Sequence, residues 1–507
     1  MSLTPAPAFD RPPTSAAEAR RVLLLLATYF GAQLAMRVAV SPALELDEAE
    51  QAVWTQAFAW GYGAQPPLYT WLQIAVFALT GPSVLGLSLL KNLLLATTYF
   101  SLWRAARRLM PLAMAPVAAA TPLLMLSIGW DAQRDLTHTV LVTTAAALSF
   151  ALLLGLVAEP RQPLRWAALG LALAAGLLGK YSFAAAAAVM GLGLLALAPV
   201  RARLREPAVW LGLLLTATVA AAAFAPHGLW LIDHLDLARD HAAGKLAAGD
   251  GGPARALLRA AGALLASLSP LLPLLALLFG RALLRPPAGA PAPEARARLA
   301  RRLLAALLLA VLAFFLVAVL AGGARHFKDR WMQPFVVALP LLLIAQAPWL
   351  AEHRHWRWLP RALGAAALLW CLGIGGRVVL AGWRGQPDEL NLPVAELAQA
   401  LRQAGVVPEG PFALLSNDRR LAAGLRLQLA GARVQAGPAD RLALPASGPV
   451  LAVVIGEGAP ADAEHAAWQA RLGQAVVGPA PGGGWALRPL YARPNHPALQ
   501  IRVSRRP

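Results

Sequence analysis

The chain has 507 residues, 58% of them hydrophobic and 14% charged, with a mean hydropathy of +0.55, which excludes an ordinary soluble domain. Ala/Leu-rich runs that cross roughly 30 Å of hydrocarbon must satisfy their own backbone hydrogen bonds, so they read as helices and exclude a β-barrel. The net charge of +19 comes from basic residues that punctuate the apolar runs, a topology signal that predicts no nucleic-acid partner.

Residues 1–20 are polar and Pro-rich, and no small-residue cleavage site follows the first apolar run, so they read as a cytoplasmic tail before an uncleaved span. Apolar runs then fall at 21–42, 84–103, 112–129, 137–157, 164–179, 182–200, 208–225, 256–280, 302–322, 333–350 and 361–382, about eleven spans. Segment 66–81 is apolar but short and opens on Pro-Pro, which reads as a juxtamembrane or half-inserted helix; if it spans, the count rises. Cys371 is the single cysteine and forms no internal disulfide.

On this count "RAARR" (104–108), "EPRQPLR" (159–165), "RARLRE" (201–206), 281–302 and "EHRHWRWLPR" (352–361) share one side. All are Arg-rich, so that side is expected to be cytoplasmic. The other side receives "ELDEAEQAVWTQAFAWGYGAQPPLYTWL" (45–72), "WDAQRD" (130–135), "KYS" (180–182), 226–255 and "ARHFKDRW" (324–331). Beyond Trp383 the composition turns polar, with an amphipathic helix and β-like runs such as "PVLAVVIGE" separated by Gly/Pro turns. The expected organisation is a 1–20 tail, a 21–383 transmembrane domain and a 384–507 soluble domain on the outer face.

The outer loops hold the chemistry. Asp47, Glu50, Gln51 and Trp54 share one helical face, although Asp47 as N-cap with Glu50 reaching back would account for the same residues structurally. Carboxylates gathered near bilayer depth are a functional-site signal, while Trp54, Trp60, Tyr62, Tyr69 and Trp71 also suit an interfacial belt. Arg325, His326, Lys328 and Arg330 beside a single acid, Asp329, break the positive-inside trend and suit an anion such as phosphate, with headgroup attraction as the bland reading. Asp131, Arg134, Asp135 and His138 repeat at helical spacing, which internal ion pairing explains as well as function does. Lys180 and Tyr181 sit at an outer turn; His227, Asp233 and His234 occupy the longest outer loop without a metal-site spacing, so a divalent metal stays open and no cofactor is assigned. No nucleotide-binding or Ser-His-Asp motif occurs in context.

The "DEAE" helix, "W…GYGAQPPLYTWL", "LLKNLLLATTYF…RAARRL", "WDAQRDLTHTVLVTTAAAL", "GLLGKYSFAAA" and "ARHFKDRWMQPF" together resemble the GT-C membrane glycosyltransferases. The nearest group is that of the dolichyl-phosphate-mannose protein mannosyltransferases and the bacterial lipid A aminoarabinose transferases. The resemblance covers most of 20–350 and implies an all-α polytopic membrane protein of about 11–13 transmembrane helices, here with a small C-terminal α/β extramembrane domain. It implies a polyprenyl-phosphate-sugar donor and inverting transfer to a glycolipid, glycan or protein acceptor. It further implies an active site facing the periplasm of a bacterial inner membrane, with membrane lipids around the prenyl chain.

By that resemblance Asp47 acts at the acceptor hydroxyl, and the adjacent Glu48 is a second catalytic candidate. Transfer from a lipid phosphate also needs cations at the departing phosphate, which Lys328, Arg330, Arg325 and Lys180 can supply. Glu50, Gln65, Tyr69, Asp131, Arg134, Asp135, His138, Tyr181, His227 and His326 are expected to line the site. Gln65 departs from the family, whose members often carry a charge just before Pro-Pro. A transporter or flippase of polyprenyl-linked sugars is the alternative; it should carry polar residues at mid-membrane depth, whereas here they cluster at one surface.

Overall fold

The computed structural model describes residues 16–506 apart from 238, 240–243, 245–250, 288–293, 477 and 481–483. Most of the 1–20 tail and much of the 226–255 connection therefore lie outside the described residues. The chain forms two compact units, one of Met1–Gly31, Ala59–Tyr69 and Lys91–Trp370, the other of Ala32–Phe58, Thr70–Leu90 and Cys371–Pro507.

Among the described residues six helices are long and apolar enough to cross a membrane: Ala16–Val40, Val84–Leu109, His138–Ala158, Pro207–Ile232, Ala295–Leu320 and Trp358–Trp383. Six shorter apolar helices accompany them, including Leu68–Thr80 within the segment read as half-inserted. Proline opens helices Pro163–Leu177 and Pro207–Ile232 at the position where a missing N–H costs nothing. Where these two helices cross, Gly170 is required, because a Cβ there would lie 2.6 Å from the Thr216 carbonyl oxygen.

Three runs read as continuous spans are broken. The 112–129 run becomes Ala115–Ala120, a 3-10 turn Thr121–Leu124 and a π-helical turn Leu126–Asp131. The 256–280 run divides at Pro270 into Pro253–Ser267 and Leu271–Phe279, and the 333–350 run into Gln333–Val336 and Leu339–Ala345 ahead of a further turn. Proline removes a helical donor and disfavours helix in the residue before it, which accounts for the second break.

Irregular backbone is tolerated at membrane depth only where protein satisfies it, and here the breaks satisfy one another. The Leu126 N–H donates to the Ser269 carbonyl at 3.0 Å. Gln333 Nε2 donates to the Ser127 carbonyl at 2.5 Å, and Trp370 Nε1 to the Leu123 carbonyl at 2.8 Å.

Three of the Arg-rich connections of the first unit, 104–108, 159–165 and 201–206, meet around residues 157–159. Arg108 and Arg165 both reach Glu159, at 3.5 and 2.9 Å, and Arg203 Nε donates to the Val157 carbonyl at 3.1 Å.

The second unit carries a six-stranded sheet in the order β2-β1-β3-β6-β4, with β5 paired to β6. Its strands are β1 (Phe412–Ser416), β2 (Ala432–Ala436), β3 (Val450–Ile455), β4 (Gln474–Val476), β5 (Trp485–Leu487) and β6 (Leu499–Arg506). β1 is parallel to β2 and β3, with Leu414 opposite Val434 and Leu451, and β6 runs antiparallel to β3. Helix Val394–Gln403, the expected amphipathic helix, buries Val394, Leu397 and Leu401 in a core shared with Leu414, Leu425 and Val453. Leu414→Ala should cost about 2–5 kcal/mol by opening a cavity in that core, seen as faster amide exchange across β1 and β3 in the full-length protein.

Candidate functional site

In the second unit, the acidic stretch forms helix Leu46–Trp54. Its cap is Glu45, not Asp47: Glu45 and Glu48 make the capping box, and the Glu45 N–H donates to Glu48 Oε2 at 3.2 Å. Glu48 is 1% exposed and Arg37, at the end of helix Ala16–Val40, is 4% exposed. Their contact is bidentate, Nη2 to Oε2 at 2.6 Å and Nε to Oε1 at 3.3 Å. Arg37 also donates to the Ser41 and Ala43 carbonyls, at 2.8 and 2.7 Å. Glu48 is therefore bound into the framework, where it fixes the turn that carries its neighbour.

Asp47 is half-buried on the first turn of that helix. Glu45 pairs with Arg377, which also holds Asp388 at 2.5 Å, and Glu50 lies 3.4 Å from Arg419. Gln51 accepts from the Thr70 hydroxyl at 2.9 Å. Gln73, one turn further along the same helix as Thr70, is fully buried, and among the described residues neither of its side-chain polar atoms has a hydrogen-bond partner.

In the first unit, the broken 112–129 run delivers Trp130, Asp131, Arg134 and Asp135 beside the 325–331 loop. Arg330 Nη1 lies 3.9 Å from Asp135 Oδ2. Burial, then Asp329, push the Asp131 carboxyl above its ordinary range, against a smaller opposing pull from Arg134 and Arg330. Lys328 is exposed and lies over the Trp331 ring at 5.9 Å, His326 meets that ring edge-on, and Arg325 is exposed, its carbonyl accepting from Arg259.

The helical face expected to unite Asp131 with His138 is interrupted: Ala132–Arg134 ends at Asp135, whose φ is −129°, and a new helix starts at His138. His138 instead donates from Nδ1 to the Gly179 carbonyl at 3.2 Å and packs against Tyr69. Next to it, Lys180 Nζ donates to Thr139 Oγ1 at 2.5 Å.

Gln65 closes the tight turn Tyr62–Gln65, in which Gly63 takes φ 60°. Tyr181 donates to His227 Nε2 at 3.0 Å, and burial pushes its phenol up to about 12. The remaining nitrogen, Nδ1, lies 2.6 Å from the Trp60 carbonyl, which can only accept, so the proton of His227 sits on Nδ1. His227 stacks on Trp230, and Trp230 on His234, so these histidines brace the Trp60 turn. Among the described residues no three His, Cys, Asp or Glu side chains gather as a metal-ligand set.

Lys91 was given no role by the sequence pattern. It is 2% exposed within helix Val84–Leu109, with Nζ donating to the Gln133 carbonyl at 3.2 Å, while Gln133 Nε2 donates to Asn92. A lysine inside an apolar run is itself the signal that would have found it.

Helical spans with protein-satisfied breaks, an acidic helix, cationic loops and an appended sheet define a GT-C fold. Comparison with known proteins agrees. Residues 64–230 match the family described as dolichyl-phosphate-mannose-protein mannosyltransferase. The chain is 35% identical over 81% of its length, and 81% of the relative's, to the lipopolysaccharide core galacturonosyltransferase RgtB of Rhizobium johnstonii. It is 33% identical to RgtA of the same organism, over 86% of each chain. The crystal structure of ArnT from Cupriavidus metallidurans in the apo state superposes with a TM-score of 0.58 at 16% identity, over 96% of this chain and 98% of that one. The form bound to undecaprenyl phosphate gives 0.56, over 97% and 98%.

The chain belongs to the GT-C membrane glycosyltransferase family that includes the lipopolysaccharide core galacturonosyltransferases. It is a multi-pass bacterial membrane enzyme that transfers a sugar, and the transporter alternative falls away.

Two outcomes test the site's construction. Glu48→Ala strands Arg37 in a buried position and should cost about 3–5 kcal/mol. Replacing both partners, Arg37→Met with Glu48→Leu, should restore much of the melting temperature in detergent. The raised pKa of Asp131 means the folded protein holds that proton more tightly than the unfolded chain. Stability should therefore fall as pH rises above about 4, and Asp131→Asn should flatten that part of the stability–pH curve.

Proposed function

We propose that this enzyme transfers a galacturonosyl residue from a polyprenyl-phosphate donor to the core of a lipopolysaccharide, with inversion, on the periplasmic face of the inner membrane. The observation that carries this reading is the identity to RgtB and RgtA along four-fifths of the chain. The undecaprenyl phosphate held by the ArnT structure supports the donor class, and the Arg-rich connections support the orientation.

In the proposed reaction an acceptor hydroxyl attacks the anomeric carbon of the donor sugar as the bond from that carbon to the phosphate oxygen breaks. The hydroxyl proton passes to the Asp47 carboxylate, and polyprenyl phosphate departs as the anion. Asp47 is assigned as base because the resemblance maps that role to it. Lys180, Lys328, Arg330 and Arg325 are assigned to the anionic groups of the donor, its phosphate and the sugar carboxylate. Domain limits of 21–383 for the membrane part and 384–507 for a periplasmic part belong to the same proposal.

Asp47→Asn should lower the transfer rate about 10²–10⁴-fold with an unchanged melting temperature, read by mass spectrometry of lipopolysaccharide core incubated with polyprenyl-phosphate galacturonic acid and purified enzyme. Retention of wild-type turnover would remove the base assignment. Lys180→Ala and Lys328→Ala with Arg330→Ala should raise the donor KM more than they lower kcat. Failure of the wild type to use this donor while using a neutral lipid-linked sugar would overturn the galacturonosyl reading.

A further inference from the structure

The sheet of the second unit contains a crevice that the transfer chemistry does not use. From β1 the chain builds β2 on one side and then returns to build β3 on the other, and the helices that follow β1 and β3 pack into different cores, so the connections leaving these two strands part at a topological switch point. Open α/β sheets bind ligands at that place, outside the strand ends. Here it holds a crevice of about 460 Å³, lined by Asp388, Glu389, Asp418, Arg420, Ile455 and Leu499 among others. That volume lies within the range of about 300–1,000 Å³ common to small-molecule sites.

The walls are fixed in place by hydrogen bonds. Asn417, directly after β1, donates from Nδ2 to the Ile455 carbonyl at 2.8 Å and accepts from the Ile455 N–H at 3.0 Å. Asn391 donates to the Val378 and Leu490 carbonyls, at 3.0 and 2.8 Å, and accepts from the Asp388 N–H at 2.8 Å. Asp418 Oδ1 caps helix Arg419–Gln428 through the Arg420 and Leu421 N–H groups. A preformed site of this kind loses little entropy when a ligand enters.

The lining chemistry selects among ligands. Arg420 is held between Glu389 at 3.4 Å and Asp418 at 3.1 Å, so its charge is already balanced and the crevice gives no net attraction to phosphate or carboxylate. Carboxylate oxygens accept from hydroxyls, and guanidinium N–H groups donate to them. Ile455, Leu499 and the rings of Pro387 and Pro489 offer apolar surface for the C–H face of a pyranose.

We infer that this crevice binds a neutral sugar residue of a glycan, held by its hydroxyls to Glu389, Asp418 and Arg420. The identity of that glycan as the acceptor's core oligosaccharide rests on the reaction proposed above. The site then retains acceptor through a sugar other than the one that is modified.

Full-length protein in lipid nanodiscs is titrated with lipid-free core oligosaccharide released from lipopolysaccharide, and saturation transfer to the sugar C–H protons is followed by NMR. Glu389→Ala with Arg420→Ala removes two of the three hydroxyl partners, and both side chains are partly exposed. Leu499→Trp fills the crevice. Each should weaken binding about tenfold or more and raise the acceptor KM by a similar factor with kcat retained; if Leu499→Trp fails to fold, the double variant carries the test. Unchanged affinity in the folded variants, absence of oligosaccharide binding by the wild type, or its displacement by inorganic phosphate would each overturn the inference. A wild type that binds the oligosaccharide through this crevice yet transfers no galacturonosyl residue would refute the proposed reaction and leave the binding site standing.

Discussion

Arg37 sits almost wholly buried at the end of an apolar helix, and its burial is the constraint around which the acidic helix is organised. An unpaired guanidinium there would be prohibitively costly. Glu48 supplies the counter-charge, and the Ser41 and Ala43 carbonyls take further N–H groups. The same carboxylate accepts from the Glu45 N–H and so starts the helix. One ion pair thus ends the first long helix, sets the turn after it and fixes the orientation of the residue preceding Glu48. Arg377, between Glu45 and Asp388, continues the pattern within the second unit by tying the acidic helix to the segment that lines the sheet crevice.

A different constraint governs the first unit. A helix that breaks within a membrane protein leaves carbonyls and N–H groups that lipid cannot satisfy. The breaks near Leu126 and Ser269 are paired with each other, Gln333 covers the Ser127 carbonyl and Trp370 covers the Leu123 carbonyl. A further interruption, where Ala132–Arg134 ends at Asp135, separates Asp131, Arg134 and Asp135 from His138; a continuous helix would have carried all four on one stripe.

The sequence made some of this legible. The helical architecture followed from apolar runs, and the acidic helix and cationic loop stood out because charge is conspicuous between such runs. The breaks were less visible, because periodicity cannot distinguish one long helix from two short ones joined inside the protein. β2 and β6 escaped for another reason. "ARVQA" is only one short alternation, and "LQIRVSRR" carries arginines that disguise a strand paired on both sides by β3 and by β4 and β5. The partnership of Glu48 with Arg37 was hidden as well: the residues are separated by a turn whose conformation no local pattern specifies. Lys91 was readable as an anomaly, but its partner Gln133 lies on another element, and only the fold brings the two together.

How firmly each arginine is held separates those fixed in the framework from those that can change partner. Arg37 is buried with a bidentate partner, and withdrawing it would leave Glu48 uncompensated at a cost of several kcal/mol. Arg330 is the opposite case. It is about one-third exposed and lies 3.9 Å from Asp135, a geometry in which an ion pair contributes about 0–1 kcal/mol. Such a side chain can leave its carboxylate for a phosphate at little cost, because the phosphate offers two oxygens to the planar fork where Asp135 offers one distant contact. Arg325 and Lys328 are exposed in the same loop. The physical case for placing donor anions at this loop is therefore not its charge alone, which Asp131, Asp135 and Asp329 partly offset, but the low cost of re-pairing its cations.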